Sequence, residues 1–254
     1  MRNNSRENIT TTLERLSTTF TTRDIMVPEN RLTWAHSESE ADRLLVENPA
    51  FDVIPIKRCG EYQSYLLRDA VLQNPIQVDD IISDSTPIID LPGLFHNKDF
   101  FFVLSGKKIS GYIHFSDLNN QLVKIPYFVL LEAVESRIIE KIEHMIKESD
   151  IDHMFPKQAT RIKNKQAELR KEQADRGYVN GFYFKEMLLL AEYFHVLSLS
   201  DADLNLVNQI RNRVDHPDRP LIKTKKDSAN LAKTRDLCTQ MLDQLGRDRI
   251  EENK

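Results

Sequence analysis

The chain has 254 residues, and at ~150 residues per domain this length predicts about two domains. Its 35 lysine and arginine residues against 39 aspartate and glutamate residues give a formal net charge of −4, so no overall basic excess points to a polyanionic partner. Two cysteines, Cys59 and Cys238, exclude a disulfide scaffold and a multi-cysteine zinc module. The opening residues 1–10 hold no long apolar run, and no run approaches the ~20 residues of a membrane span, so we expect a cytoplasmic protein without a signal peptide.

The first part of the chain, residues 1–124, predicts a mixed α/β domain. It holds six of the ten prolines, and its apolar clusters are short and rich in β-branched and aromatic residues. Such clusters at 53–56, 100–104 and 109–113 are typical of strands. An amphipathic stretch at 38–46 precedes the first of these clusters and indicates a helix.

Two stretches of this part align with each other without a gap. Residues 55–69 (PIKRCGEYQSYLLRD) and 103–117 (VLSGKKISGYIHFSD) both contain a strand, a tight polar turn, a second strand and a terminal aspartate, Asp69 or Asp117. A weaker match joins residues 23–26 with 79–82. The shared order of elements predicts a duplicated unit.

These segments resemble a known family, the tandem CBS (cystathionine-β-synthase-type) pair. Residues 111–118 (GYIHFSDL) are similar to the closing strand and helix start of a CBS motif, and residues 51–56 (FDVIPI) to the middle strand of the first copy. Residues 21–26 and 79–82 are similar to the two openings. The resemblance covers about residues 10–135 and implies a compact module that binds an adenosine nucleotide.

The resemblance implies that Asp117 and Asp69 are ligand residues, one in each copy. An aspartate at a helix start can accept hydrogen bonds from vicinal ribose hydroxyls, while the helix N-terminus favours phosphate. The family often has Thr or Ser three residues before the aspartate. The corresponding residues here are His114, which could contact phosphate and would do so better when protonated, and Leu66, which cannot, so the first site is expected to be weaker or empty.

A loop of the second copy, residues 85–88, completes the site that the resemblance implies. Thr86 and Ile88 would offer backbone groups and an apolar wall to the adenine. A plainer interpretation stays open for Asp117 and Asp69, because aspartates often do no more than cap helices.

Residues 125–254 predict an all-α bundle of four or five helices, so the fold class expected for the whole chain is α+β. Apolar residues from 125 to about 147 recur every three or four positions, and residues 183–197 are strongly apolar. Between them, residues 157–176 are polar and predict a solvated helix with charge pairs.

The end of the bundle carries the chemically most informative stretch. Ser200 begins a capped helix whose apolar stripe is Leu204, Val207, Ile210 and Val214, and Pro217 requires this helix to end near residue 215. A last helix is predicted over about 227–245. The stretch at the end of the capped helix, residues 211–216 (RNRVDH), contains Arg211, Asn212 and His216.

The spacing Arg-Asn-x-x-x-His late in a helical bundle resembles the signature of the HEPN family, over about residues 125–250. Arginine is a permanent cation with a planar fork for phosphate, and histidine suits proton transfer at neutral pH. Many family members are metal-independent ribonucleases in which two copies of the motif form one composite site in a dimer. No metal-ligand cluster and no other catalytic motif stands out in the sequence.

The two resemblances together imply an endoribonuclease that is regulated by an adenosine nucleotide, acts as a homodimer and requires no cofactor. His216 would be the acid or base toward the ribose 2′-hydroxyl, Arg211 would stabilise the phosphorane, and Asn212 would position the phosphate. Contacts with the RNA backbone are expected from a basic stretch that includes Arg213, Arg219 and Lys223. An inhibitor protein is left open as a further partner.

Less specific interpretations of this motif stay open. Arg211 and His216 could simply be cations at the negative end of a helix, His216 could be an ordinary turn histidine, and the basic stretch could be a solvated loop. The chain would then be a ligand-sensing dimer whose helical domain recruits a protein or RNA partner, or a plain nucleic-acid-binding regulator.

Overall fold

The computed structural model describes residues 15, 19–70, 72–171 and 177–246. They form two compact units, one with residues up to 123 together with 222–229, and one with residues 124–221 together with 230–246. The first unit contains the strands and the second is helical, so the chain is mixed α/β, which is compatible with the expected α+β class. The predicted division at 124 assigns 222–229 to the helical part, whereas the structure joins this segment to the strand-rich unit.

The strand-rich unit contains two small sheets. Its elements are β1 (Val27–Pro28), α1 (Glu38–Glu47), β2 (Val53–Arg58), β3 (Glu61–Leu67), β4 (Asn74–Pro75), β5 (Ile81–Ser83), α2 (Leu91–Leu94), β6 (Phe100–Ser105) and β7 (Lys108–His114). The four-stranded sheet has the order β1-β7-β6-β5 and the three-stranded sheet the order β2-β3-β4. Only the pair β5–β6 is parallel among the described strands.

The hairpins β2–β3 and β6–β7 repeat each other. Val53 pairs with Leu67 and Phe100 pairs with His114, so each residue of the second pair follows its counterpart by 47 positions. The breaks in register, after Ile56 and after Val103, keep the same spacing, as do the two-residue turns. The two hairpins therefore share the same register and the same position of the bulge.

This spacing corrects the sequence alignment by one residue. The gap-free match of 55–69 with 103–117 sets the offset at 48, whereas the paired strands give 47. Asp69 is therefore equivalent to Ser116 rather than to Asp117. Side chains of a strand alternate between the two faces of the sheet. A shift of one residue in the alignment therefore assigns each side chain to the opposite face.

Burial explains why these segments form strands packed on a helix. In β2, Ile54 and Ile56 are buried, and they form a core cluster with Ala41 and Leu45 of α1 and Leu66 of β3. Burial of each isoleucine or leucine side chain of this cluster stabilises the fold by about 1.5–3 kcal/mol. Gly111 allows close approach of the adjoining strand β1, because a Cβ atom at this position would lie 2.7 Å from the Val27 carbonyl oxygen.

The segment 222–229 is held in the strand-rich unit by two hydrogen bonds and one ion pair. Asn119 Nδ2 donates to the Ile222 carbonyl at 2.8 Å, and the Ile222 N–H donates to Asn119 Oδ1 at 2.9 Å. Lys225 Nζ lies 3.0 Å from Asp99 Oδ1. Sequence periodicity could not reveal this assignment, because it depends on residues about a hundred positions apart.

The helical unit follows the predicted order of apolar segments. Its helices are α3 (Gln121–Ile142), α4 (Glu148–Met154), α5 (Ala159–Lys171), α6 (Phe184–Tyr193), α7 (Asp201–Val214) and α8 (Lys225–Gly246). α3 begins four residues earlier than expected because Asn120 Oδ1 accepts from the Leu122 N–H and caps the first turn. The predicted polar segment 157–176 extends past Lys171 into 172–176, which lie outside the described residues.

The predicted core of α7 is confirmed. All four residues of its stripe are buried, Ser200 Oγ accepts from the Asp203 N–H, and the helix ends at Val214, before Pro217. The inward face of α8, with Leu231, Leu237, Met241 and Leu245, is confirmed as well. The apolar pattern of residues 125–147 predicts that Phe128 faces the core together with Leu131 and Val134, and this prediction was wrong for Phe128 of α3, which is 46% exposed.

Among the described residues, no helix combines the length and apolar character that crossing a membrane requires.

Candidate functional site

A cavity of about 310 Å³ lies within the strand-rich unit. It brings together His114 and Asp117, at the end of β7, with Phe51 and Asp52, just before β2, and with Arg31. The rest of its wall is mainly apolar, and includes Val27, Leu32, Val53, Ile54, Pro55 and Tyr112. A concave, mostly apolar space with a few convergent polar groups is the usual form of a small-molecule site.

His114 and Asp117 are fixed by local hydrogen bonds. Asp117 Oδ2 accepts from the His114 N–H at 2.8 Å, which caps the short 3₁₀ helix Phe115–Asn119. His114 Nδ1 lies 2.8 Å from Ser116 Oγ and accepts from the Ser116 N–H at 3.3 Å. Asp117 is therefore a cap, as the plainer interpretation holds, but capping uses one carboxylate oxygen and is compatible with a ligand contact through the other.

Burial shifts the two titratable groups in opposite directions. Burial raises the pKa of Asp117, although the His114 N–H opposes this shift. Burial lowers the pKa of His114 below its ordinary 6.5, against the opposing effect of Asp117, Asp52 and Asp99. The lowered pKa favours the neutral form of His114, so a contact with phosphate at neutral pH would lack the strengthening expected from protonation.

The proton of the neutral imidazole faces Asp52. Since Nδ1 accepts from the Ser116 N–H, the ring proton resides on Nε2. His114 Nε2 lies 3.7 Å from Asp52 Oδ2, and the Asp52 side chain is 64% exposed. The site thus contains one neutral donor between two carboxylates.

The helix N-terminus expected behind Asp117 is replaced by a weaker element. Asp117 lies in a five-residue 3₁₀ helix, and the long helix α3 begins only at Gln121. The helix-dipole effect acts within the first turn of a long helix. It therefore gives no support for a phosphate site at Asp117.

The other residues predicted for the ligand site lie elsewhere. The Thr86 carbonyl accepts from the Thr22 N–H at 2.8 Å and from Thr22 Oγ1 at 3.0 Å, and Ile88 is fully buried. Asp69 is exposed in the turn after β3. None of Thr86, Ile88 and Asp69 lines the cavity.

Sequence reasoning missed Arg31 and the side chain of Asp52. Arg31 ends a single turn of 3₁₀ helix, Glu29–Arg31, and Asp52 precedes a buried strand. The signal for Asp52 was present in the strand motif FDVIPI, since a polar residue just before a buried strand often faces a site. Nothing local distinguishes Arg31.

The equivalent positions beside the other hairpin carry aromatic rings that contact one another. With the offset of 47, Val53 and Pro55 correspond to Phe100 and Phe102, and Tyr112 corresponds to Tyr65. The Tyr65 ring lies 5.2 Å from that of Phe100 and 5.7 Å from that of Phe102. The two halves of the repeat therefore differ, and the open cavity belongs to the half that contains Asp117.

In the helical unit, Arg211 is surrounded by carboxylates. Its Nη2 donates to Glu135 Oε2 at 2.8 Å and lies 3.4 Å from Glu132 Oε1, while Nη1 donates to Asp215. The guanidinium also lies over the Phe184 ring, 5.2 Å from its centroid. Arg211 thus links α7 to α3 and α6, and a phosphate at this position would meet three competing carboxylates.

His216 lies just beyond α7 on an ordered turn. Lys124 is buried, and its Nζ donates to the carbonyl oxygens of His216 at 2.6 Å and Arg219 at 2.8 Å, with Pro217 O at 3.4 Å. Burial lowers the pKa of Lys124, and Asp218 opposes that shift. The His216 residue itself is exposed.

The remaining predicted residues are spread over both units. Asn212 is exposed on α7, and Arg213 Nη1 donates to the Leu221 carbonyl at 2.8 Å. Arg219 is exposed on the turn held by Lys124, and Lys223 is exposed in the segment that belongs to the strand-rich unit.

Within the described part of the chain, no group of three or more His, Cys, Asp or Glu side chains has an arrangement that could hold a metal ion. Comparisons with models of protein families, with curated proteins and with solved structures found no match for this chain.

Proposed function

We propose that the strand-rich unit binds an adenosine nucleotide in the cavity next to Asp117 and that the chain is a ligand sensor. The observation that supports this most is the convergence of His114, Asp117, Asp52 and Arg31 around one apolar space. These residues come from segments far apart in sequence. Local folding alone does not require polar groups to meet there.

The lining offers a distinct role for each part of such a ligand. The apolar wall formed by Leu32, Ile54 and Tyr112 suits a purine ring. The Asp117 carboxylate suits the vicinal ribose hydroxyls, because a charge-assisted hydrogen bond is worth about 1.5–3 kcal/mol. Arg31 suits a phosphate, as its planar fork matches the phosphate oxygens.

Calorimetry with AMP tests this proposal. Asp117→Asn removes the charge and retains an amide oxygen for the cap, and we expect it to weaken AMP binding by roughly one to two decades. Asp69→Asn is the matched control, because Asp69 is exposed and outside the cavity. Absence of AMP binding by the wild type, or equal affinity in the Asp117→Asn protein, would reject the site.

A second candidate function concerns the helical unit, a metal-independent endoribonuclease that acts as a homodimer through Arg211, Asn212 and His216. One observation favours it, the exposed His216 on a turn fixed by three Lys124 contacts. An accessible histidine side chain on a fixed backbone turn could come within hydrogen-bond reach of a substrate proton, as general acid–base catalysis requires. The carboxylates around Arg211 disfavour ribonuclease activity, because they already bind the guanidinium group that should stabilise the phosphorane.

Incubation of the purified chain with total RNA in EDTA, with and without AMP, tests the second candidate. Cleavage that leaves 2′,3′-cyclic phosphate ends supports it, and a change of rate with AMP supports regulation. Light scattering on the same sample tests the homodimer. Intact RNA would favour the alternative, in which the helical unit recruits a protein or RNA partner.

A further inference from the structure

The charges around the cavity are unusual for a nucleotide site. Two carboxylates, Asp52 and Asp117, line it, and among the described lining residues Arg31 is the single arginine or lysine. His114 adds no positive charge at neutral pH, since burial lowers its pKa. The fixed charges of the lining therefore add up to about −1, and a highly anionic ligand would be repelled.

The size of the cavity points in the same direction. Its volume of about 310 Å³ lies at the lower end of the roughly 300–1,000 Å³ that small-molecule sites span. A base and a ribose fill most of such a space. A chain of three phosphates would therefore have to extend out of the cavity, and one carboxylate of the lining, Asp52, has a side chain that is 64% exposed.

We propose that the ligand is a nucleoside or a nucleoside monophosphate, and that Asp52 excludes di- and triphosphates. This inference rests on the proposed nucleotide site. Arg31 balances one phosphate group, and each further phosphate brings charge toward Asp52 without a second cation in the lining. Asp52 is thus a specificity-determining residue, whereas Asp117 contacts every member of the series through the ribose.

The experiment is a calorimetric series of adenosine, AMP, ADP and ATP against the full chain, without Mg²⁺ so that each phosphate keeps its charge. We expect the wild type to bind AMP at least ~10-fold more tightly than ATP. Asp52→Asn should reduce this ratio to about 3-fold or less, mainly by tightening ATP binding. Asp69→Asn, an exposed charge removed outside the cavity, should leave the ratio unchanged.

The possible outcomes separate the two claims. ATP binding as tightly as AMP in the wild type, or an unchanged ratio in Asp52→Asn, would overturn the charge-based selection and leave the site itself intact. Binding of none of the four compounds would overturn the proposed function and this inference together. Circular dichroism of the Asp52→Asn protein checks its folding, which we expect to be unaffected because Asp52 is exposed.

Discussion

Arg211 and Glu135 form a short ion pair, with Nη2 2.8 Å from Oε2, that joins the last turn of α7 to the middle of α3. Both side chains are about four-fifths buried. Because Glu132 and Asp215 contact the same guanidinium, Arg211 compensates three carboxylates. The residue expected to stabilise a transition state therefore has a structural role, which changes how its mutants should be interpreted.

Arg211→Ala should lower the free energy of unfolding by about 1.5–3 kcal/mol, because a hydrogen-bonded charge is lost and Glu132 and Glu135 are left uncompensated. Burial raises the pKa of Glu132, and the neighbouring Glu135 raises it further. Arg43→Ala is the control, because its ion pairs are exposed and worth about 0–1 kcal/mol. The double mutant Arg211→Ala/Glu135→Ala should show a coupling of about 0.5–3 kcal/mol in urea unfolding, and additive effects would contradict the pair.

His216→Ala is the cleaner test of ribonuclease activity. Since His216 is exposed, the substitution should change stability by no more than about 0.5 kcal/mol. If His216 is the acid or base, RNA cleavage should fall by at least ~10²-fold. His153→Ala, another exposed histidine of the helical unit, should retain wild-type activity. Full cleavage by the folded His216→Ala protein would end the assignment.

Lys124→Met should loosen the turn that carries His216. The substitution removes an ammonium group that donates to three backbone carbonyls and leaves an apolar side chain of similar length. We expect faster hydrogen exchange in residues 215–221 and a loss of about 1–3 kcal/mol in the free energy of unfolding. Lys157→Met, at an exposed position, should change neither; unaltered exchange in the Lys124→Met protein would show that the turn holds without the lysine.

Asp117→Ala and Asp117→Asn should differ in stability. Alanine removes the cap of the 3₁₀ helix and should cost about 0.5–2 kcal/mol. Asparagine keeps an oxygen for the His114 N–H and avoids burying a charge, whose cost is evident from the raised pKa of Asp117. In thermal melts at pH 7, the Asn variant should therefore be at least as stable as the wild type; a melting temperature as low as that of the Ala variant would contradict this.

His114 should make the strand-rich unit sensitive to mild acid. Because its pKa is lowered in the folded state, the unfolded chain binds more protons once the pH falls below about 6.5, and stability is lost as the pH decreases. In His114→Asn, the amide oxygen can replace Nδ1 as the acceptor for Ser116, and this loss should disappear. The drop in melting temperature from about pH 7.5 to 5.5 should thus be smaller in the variant. Asp52, Asp99 and Asp117 face the site in both proteins, so their contribution is common to the two measurements. Equal drops would exclude His114 as the cause.

The sequence by itself determined the local features of this protein. The stripe of α7 and its end before Pro217 followed from the helical period and from the geometry that proline imposes on its neighbour. The short strands around 53–56 and 100–104 followed from their composition. These features depend on residues within one or two turns of each other, where backbone geometry alone brings side chains together.

Tertiary structure decided which distant residues meet. Register and the matching bulges set the hairpin offset at 47, so that Asp69 corresponds to Ser116. Packing brought Asp52 to within 3.7 Å of His114, and placed Glu135 against Arg211, 76 positions apart in sequence. A periodic pattern specifies the face of an element but not its partner, because the partner depends on chain topology and on the burial that the whole fold makes possible.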